Sequence, residues 1–228
     1  MNLLAIDTST SYESIAVSRD GHILADVTID GKRTHSERLL PTIEDILGQT
    51  GMKLEELTGV AVSIGPGSFT GLRIGLSTAK GLCFGLKVPL YVSSTLKSLA
   101  NNVSGYNSKI CSLLDAGRGD VYYAVYSPDL TEIQEPSLGR IEQVVELIDD
   151  KTLFVSPILP KLVDELTALY ESPNLAQAVV CYPKAISLID MIKNKKGCDV
   201  YAADDIARIE PLYIRKSAAE ENYKLDKK

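Results

Sequence analysis

The feature that most constrains this chain is an order of elements that occurs twice. Residues 3–6 form a short apolar run that reads as a strand, Asp7-Thr8-Ser9-Thr10-Ser11 a polar turn, and residues 14–17 a returning strand. Asp20-Gly21 turns the chain into a third strand over 23–29, closed by Asp30-Gly31. A helix follows, then an apolar run over 60–64, a glycine-rich turn, a long helix and a strand over 88–92. In the second half, residues 110–114 end in Asp115 as the first strand ends in Asp7. Ala116-Gly117-Arg118-Gly119 turns the chain, residues 121–126 return, and Pro128-Asp129 turns it again. Helix candidates over 141–149 and 160–170 flank a strand over 153–155. Any two hairpins resemble each other, so it is the shared order after each hairpin that points to duplication. The expectation is an α/β protein of two similar lobes, each a mixed sheet with helices packed on it, with a cleft between them. The lobes are expected at 1–104 and 105–228, the boundary lying in the polar stretch 101–108.

With 228 residues and 45% hydrophobic side chains, the chain can bury a sizeable core. A formal charge of -6 and a pI near 5.1 provide no overall attraction to nucleic-acid phosphates, so any RNA role needs a partner or a local basic patch. Cys83, Cys111, Cys181 and Cys198 are widely spaced and form no Cys-x-x-Cys pair, which suggests reduced thiols in a cytoplasmic protein and neither a zinc site nor a disulfide framework. The N-terminus has no basic n-region, so no signal peptide is expected, and no apolar run approaches membrane-spanning length.

Residues Gly65-Pro66-Gly67-Ser68-Phe69-Thr70-Gly71-Leu72-Arg73 lie between an apolar strand and a helix, where phosphate loops sit. The segment lacks the Gly-Lys-Ser/Thr of a Walker loop, and Thr70 occupies the last glycine position of a dinucleotide fingerprint. Two readings stand side by side. Asp7, Thr8, Ser9, Gly65, Gly67 and Ser68 could form a nucleotide or phosphate loop, with Asp7 holding a magnesium ion. Alternatively the glycines permit a tight turn, Asp7 serves its turn, and Ser68 or Thr70 caps the helix.

From Gly71 to Leu86 the helix carries only Arg73 and Lys80 as charges. A helix lying on one sheet needs a single apolar face, so this one calls for cover on a second side, from other helices of its lobe or from a partner protein. Gly71, Gly75 and Ala79 recur every four residues and would let another helix approach closely. The preceding helix opens with capping-box spacing at Thr34-His35-Ser36-Glu37 and continues with Leu39, Leu40, Ile43, Ile46 and Leu47; Pro41 would kink it or mark its true start. These helices are the candidate partner interface, through His35, Leu39, Leu40, Ile43, Leu47, Gly71, Leu72, Gly75, Ala79 and Leu82, packing as a helical bundle. On that reading a bulky residue at Gly75 blocks docking.

His22 and His35 are the only histidines, and they lie in different elements. They provide no metal pair at helical spacing and no Ser-His-Asp or Cys-His arrangement, so no catalytic residue is assigned. A nucleotide-dependent phosphotransferase working in the interlobe cleft is the competing reading; a peptidase is the weakest. The basic tail Lys224-Leu225-Asp226-Lys227-Lys228 reads as a solvated terminus.

Asp7-Thr8-Ser9-Thr10, His35-Ser36-Glu37 with Leu39-Leu40-Pro41, and residues 64–73 together resemble the TsaB family, also called YeaZ. Residues 115–122 are similar to that family's second-lobe hairpin and Pro211-Leu212-Tyr213-Ile214-Arg215 to its closing motif, so the likeness runs along essentially the whole chain. One departure is Gly117, where family members commonly carry arginine. The resemblance implies the duplicated actin, Hsp70 and sugar-kinase fold and a non-catalytic role in tRNA threonylcarbamoyladenosine synthesis. It implies a catalytic partner, TsaD, which carries a histidine metal pair, and a small ATPase, TsaE. Threonylcarbamoyl is then transferred from its adenylate to the adenosine beside the anticodon. It further implies that the two first-lobe helices contact TsaD or form a homodimer, that tRNA is met through the complex, and that this chain needs no cofactor, with room left for ATP or ADP in the complex.

Overall fold

The computed structural model describes residues 1–31, 33–170 and 172–215; the tail at 224–228 lies outside them. The first half runs β1 (Leu3–Asp7), β2 (Tyr12–Arg19), β3 (His22–Asp30), α1 (His35–Thr50), β4 (Gly59–Ser63), α2 (Phe69–Leu86) and β5 (Leu90–Ser93). After α3 (Thr95–Asn101), the second half runs β6 (Ile110–Gly117), β7 (Asp120–Tyr126), β8 (Glu132–Gly139), α4 (Ile141–Val145), β9 (Leu153–Val155), α5 (Leu159–Leu169) and β10 (Asn174–Leu175). The two sheets share one topology. In the first, the order β5-β4-β1-β2-β3 matches β10-β9-β6-β7-β8 in the second. In each, the opening strand pairs antiparallel with the strand after it and parallel with the fourth strand of its half.

The expected repeat is therefore present strand for strand, but the chain does not stay in its second half. Beyond residue 184, α6 (Ala185–Lys193), β11 (Asp199–Tyr201) and α7 (Asp205–Arg208) return to the first lobe, where β11 pairs antiparallel with β5. A cut at 104/105 thus separates the two sheets only as far as β10.

Alternation along β1 explains why two layers of helix are needed. Leu4 and Ile6 face α1 and α2 in one apolar cluster, while Leu3 and Ala5 face α6 in another. Ala16, Ala5 and Ala61 are register neighbours across β2, β1 and β4. This row of small side chains lets α6 lie close to the sheet, with Ala185, Leu188 and Ile189 against it.

Thr34 N–H donates to Glu37 Oε2 at 2.9 Å, so α1 begins at the capping box and continues through Pro41. Leu39, Ile43, Ile46 and Leu47 are buried on the sheet, each stabilising by about 1.5–3 kcal/mol on area grounds. Ser68 Oγ accepts Gly71 N–H at 3.2 Å and caps α2.

The last described segment forms a strap. Lys80 Nζ donates to the carbonyls of Ala207 and Ile209, and Leu212 N–H to the Ile64 carbonyl at 2.7 Å. Arg215 then crosses to the other lobe, where it donates to the Ala116 carbonyl at 2.6 Å and pairs with Asp120.

Candidate functional site

Between the lobes lies a cavity of about 480 Å³, lined by Ser9, Gly67 and Ser68 on one side and by Asp115, Gly117 and Lys161 on the other. The glycine loop forms part of its wall, yet the chain itself occupies the loop's groups. Ser68 N–H donates to the Ser9 carbonyl at 2.7 Å, and Thr8 Oγ1 to the Gly71 carbonyl at 2.7 Å. A Cβ on Gly67 would meet that Ser9 carbonyl at 2.2 Å, and one on Gly65 would meet the Leu212 carbonyl at 2.8 Å. Both glycines therefore serve close backbone packing.

Asp7, Thr8 and Ser9 are buried. Asp7 Oδ1 accepts from Ser9 Oγ at 2.6 Å and Ser9 N–H at 3.0 Å, whereas Oδ2 makes no hydrogen bond. Burial pushes the Asp7 carboxyl above its ordinary value, against the opposing pull of the Ser63 and Ser9 hydroxyls. The Ser63 hydroxyl acts there by proximity, since it forms no bond of normal geometry. Of the residues read as a phosphate loop, Ser9, Gly67 and Ser68 line the cleft, while Asp7, Thr8 and Gly65 are not among its lining.

The interface reading is corrected on the same two helices. Leu39, Ile43, Leu47, Leu72 and Ala79 are buried within the first lobe. Gly71 and Gly75 face the turn that follows β1, where an added Cβ would meet the Thr8 carbonyl at 2.1 Å and Thr8 Oγ1 at 2.3 Å. The small-residue stripe thus fits α2 onto its own sheet, and a bulky residue at Gly75 strikes the fold before any partner. His35 and Leu82 are half-buried, and Leu40, 57% exposed, is the one named residue that projects fully outward.

The outward faces lie beside the predicted ones. On α1, Leu40, Glu44 and Gly48 are exposed at four-residue spacing; on α2, Ser77, Gly81 and Gly85 are exposed likewise, with Phe84 at 49%. A Cβ on Gly48, Gly81 or Gly85 would meet nothing within 4 Å. Sequence spacing carries this second stripe as clearly as the first. What it lacks is any sign of which one the sheet covers.

A charged cluster that the sequence did not reveal ties α1 to the cleft turn. The Glu13 side chain is fully buried, with Arg38 Nε 3.2 Å away and His35 Nδ1 at 3.4 Å. His35 Nε2 lies 2.8 Å from the Thr10 carbonyl and so carries the proton that bonds it, and Arg38 Nη2 donates to the Ser11 carbonyl at 3.2 Å. The Glu13 hydrogen bond raises the His35 pKa above its ordinary 6.5, with burial acting the other way. A raised folded-state value means that His35 stabilises fully below about pH 6.5 and progressively less as the pH climbs through that higher value. The gap in melting temperature between the native chain and His35→Gln should therefore be wider near pH 6 than near pH 8.5. An equal gap at both would show that the charge on His35 is immaterial.

No helix among the described residues is long and apolar enough to cross a membrane. A family model described as TsaD, tRNA N6-adenosine threonylcarbamoyltransferase, matches residues 22–153. The tRNA threonylcarbamoyladenosine biosynthesis protein TsaB of Buchnera aphidicola subsp. Schizaphis graminum is 30% identical over 199 residues, covering 83% of this chain and 92% of that one. The chain belongs to the TsaB (YeaZ) family. The TsaB of Escherichia coli K12 is 39% identical over 131 residues, 57% of this chain, and that match spans 56% of the relative's own length. With Bacillus subtilis TsaB the match spans 60% of the relative.

Among solved structures, YeaZ from Pseudomonas aeruginosa superposes with a TM-score of 0.77 at 26% identity, covering 93% of this chain and 99% of that one. The (R)-2-hydroxyglutaryl-CoA dehydratase component A of Acidaminococcus fermentans superposes with a TM-score of 0.51 at 11% identity, covering 86% and 99%. The latter shares the fold alone. Together with the duplicated topology, these likenesses place the chain in the actin, Hsp70 and sugar-kinase fold group, as the sequence led one to expect.

Proposed function

We propose that this chain is a non-catalytic subunit of the machinery that makes tRNA threonylcarbamoyladenosine, and that it works by docking a TsaD-type catalytic subunit, with a TsaE-type ATPase joining the assembly. The observation that carries the docking half is the outer surface of α1 and α2. Leu40 and Phe84 are held in solvent beside three glycines whose Cα positions are open, so a second pair of helices can approach closely. Membership in the TsaB family supports the pathway. The glycine loop's engagement with Ser9 and Thr8 supports a role other than phosphoryl transfer. On this reading 1–104 is the N-terminal lobe that bears the docking helices and 105–228 the C-terminal lobe, from which α6 and β11 pack back onto the first.

Sizing with light scattering tests this directly. The native chain and a TsaD-type subunit from the same source should elute together as an equimolar complex. Leu40→Glu with Phe84→Asp should weaken that complex by at least about a hundredfold, since each removes a central apolar anchor, typically about 2 kcal/mol or more, while the melting temperature stays within a few degrees. Association at native strength by the double variant would remove this face from the interface. A homodimer of the isolated chain that the same substitutions dissolve would show that two copies use the surface when the partner is absent.

A further inference from the structure

We propose that the cavity between the end of α3 and α6 binds a small zwitterion, an aliphatic α-amino acid. The cavity measures about 340 Å³, within the size range of small-molecule sites. Three parts of the chain that are far apart in sequence wall it: the turn at Gly21 with Ile23 beyond it, Asn101 at the end of α3, and α6 from Ile186 to Lys193. Because α6 covers one face of the first sheet and α1 and α2 the other, an occupant leaves Leu40 and Phe84 free. The site is therefore independent of the docking assignment.

The amides and the hydroxyl on this wall have already given their hydrogens to the fold. Asn101 Nδ2 donates to Asp190 Oδ2 at 3.1 Å and to the Ser187 carbonyl at 3.4 Å. Asn102 Nδ2 donates to the carbonyls of Val180 and Tyr182 at 2.9 and 2.8 Å, and Ser187 Oγ donates to Asn102 Oδ1 at 2.5 Å. What remains in the middle of the wall is a pair of acceptors. Asn101 is 5% exposed, and its Oδ1 is buried without a hydrogen bond, an uncommon state that calls for a donor. Asp190 accepts amide hydrogens, from Asn101 and, at 2.8 Å, from Asn194, and has no ion-pair partner among the described residues.

Lys193 lies three positions further along α6, on the same side of the helix. It reaches the Gly21 carbonyl, 3.5 Å from Nζ, and not Asp190. A carboxylate and an ammonium thus share one cavity wall without pairing. The inverse pair satisfies both: a ligand ammonium against Asp190 and Asn101 Oδ1, and a ligand carboxylate against Lys193. Lys184 stands nine residues back, roughly 13 Å along the helix, and has Asp26 as its electrostatic neighbour. The wall therefore carries no surplus of either sign that would favour a net anion or cation. Ile23, Ile186 and Ile189 line the same cavity and supply apolar surface for an aliphatic side chain.

Calorimetric titration of the full chain with L-leucine, L-isoleucine and L-valine tests the proposal. At least one should bind with a Kd below about 1 mM. Lys193→Met, at an exposed position, should weaken that binding about tenfold and leave the melting temperature unchanged. Asp190→Asn should weaken it at least as much; should loss of its amide contacts unfold the chain, Lys193→Met carries the readout. Leucinamide lacks the carboxylate and N-acetyl-leucine the ammonium, so each should bind at least about tenfold more weakly than leucine. Leucinamide should also be indifferent to Lys193→Met. Lys53→Met, exposed and outside the cavity, should bind leucine as the native chain does.

No binding of the three amino acids at up to about 20 mM, or native affinity in Lys193→Met, would overturn the proposal. Leucinamide binding as tightly as leucine would overturn it in favour of a simple cation site, and N-acetyl-leucine doing so would overturn it in favour of an anion site.

Discussion

Glu13→Ala should lower the stability of the native chain by about 3–5 kcal/mol, the cost of removing one member of a buried ion pair. Arg38, 8% exposed, would keep its charge without its carboxylate, and Thr42 Oγ1 would be deprived of its bond to Glu13 Oε1. For a domain of this size each kcal/mol shifts the melting temperature by about 2–4 °C, so a fall on the order of 10 °C is expected in calorimetry. Adding Arg38→Met should recover a substantial part of the loss, because the uncompensated charge is then gone. A loss below about 1 kcal/mol in the single variant would show that water reaches the cluster and that the pair does not lock α1 to the turn at Thr10 and Ser11.

Gly71→Ala should cost about 3 kcal/mol, near the upper end for overpacking a tight site. The added methyl meets a backbone oxygen, the Thr8 carbonyl at 2.1 Å, which cannot rotate aside, so either α2 or the cleft turn must move. Gly75→Ala should cost less, since Thr8 Oγ1 at 2.3 Å can turn away at the expense of its bond to the Gly71 carbonyl. Urea unfolding of both variants distinguishes the cases. Equal, small losses would mean that α2 has room against the turn at Thr8. On the outer face, Gly81→Ala meets no atom and should be neutral or slightly stabilising.

The contrast between Gly71 and Gly81 shows where sequence reasoning succeeded and where it stopped. Local signals were legible: the capping box at Thr34 and Glu37, the Ser68 cap, and the order of strands that repeats after Asp115. Each depends on neighbours within a few positions. A four-residue spacing of small side chains also marks a face of α2, but spacing says nothing about what that face meets. The sheet took the stripe through Gly71, Gly75 and Ala79 and left the one through Ser77, Gly81 and Gly85 outside. Pairings between residues far apart in the chain were out of reach for the same reason. Arg215 lies 95 positions from Asp120, and Arg38 lies 25 positions from Glu13. Nor did α6 announce itself, because Lys184 at its start makes no side-chain cap.

The late return of α6 has a consequence for how the protein comes into being. A ribosome delivers β1, β2 and β4 early, with Leu3, Ala5, Ala16 and Ala61 on a face that α6 covers in the finished fold. Until residue 193 has emerged, a nascent first lobe holds that apolar face open to water and to other nascent chains while the second lobe is still being made. N-terminal domains generally fold first during synthesis, but here the first lobe cannot close before the second has been translated. The two lobes, alike in plan, are therefore unlike in autonomy, and the second is the one a growing chain can finish in sequence order.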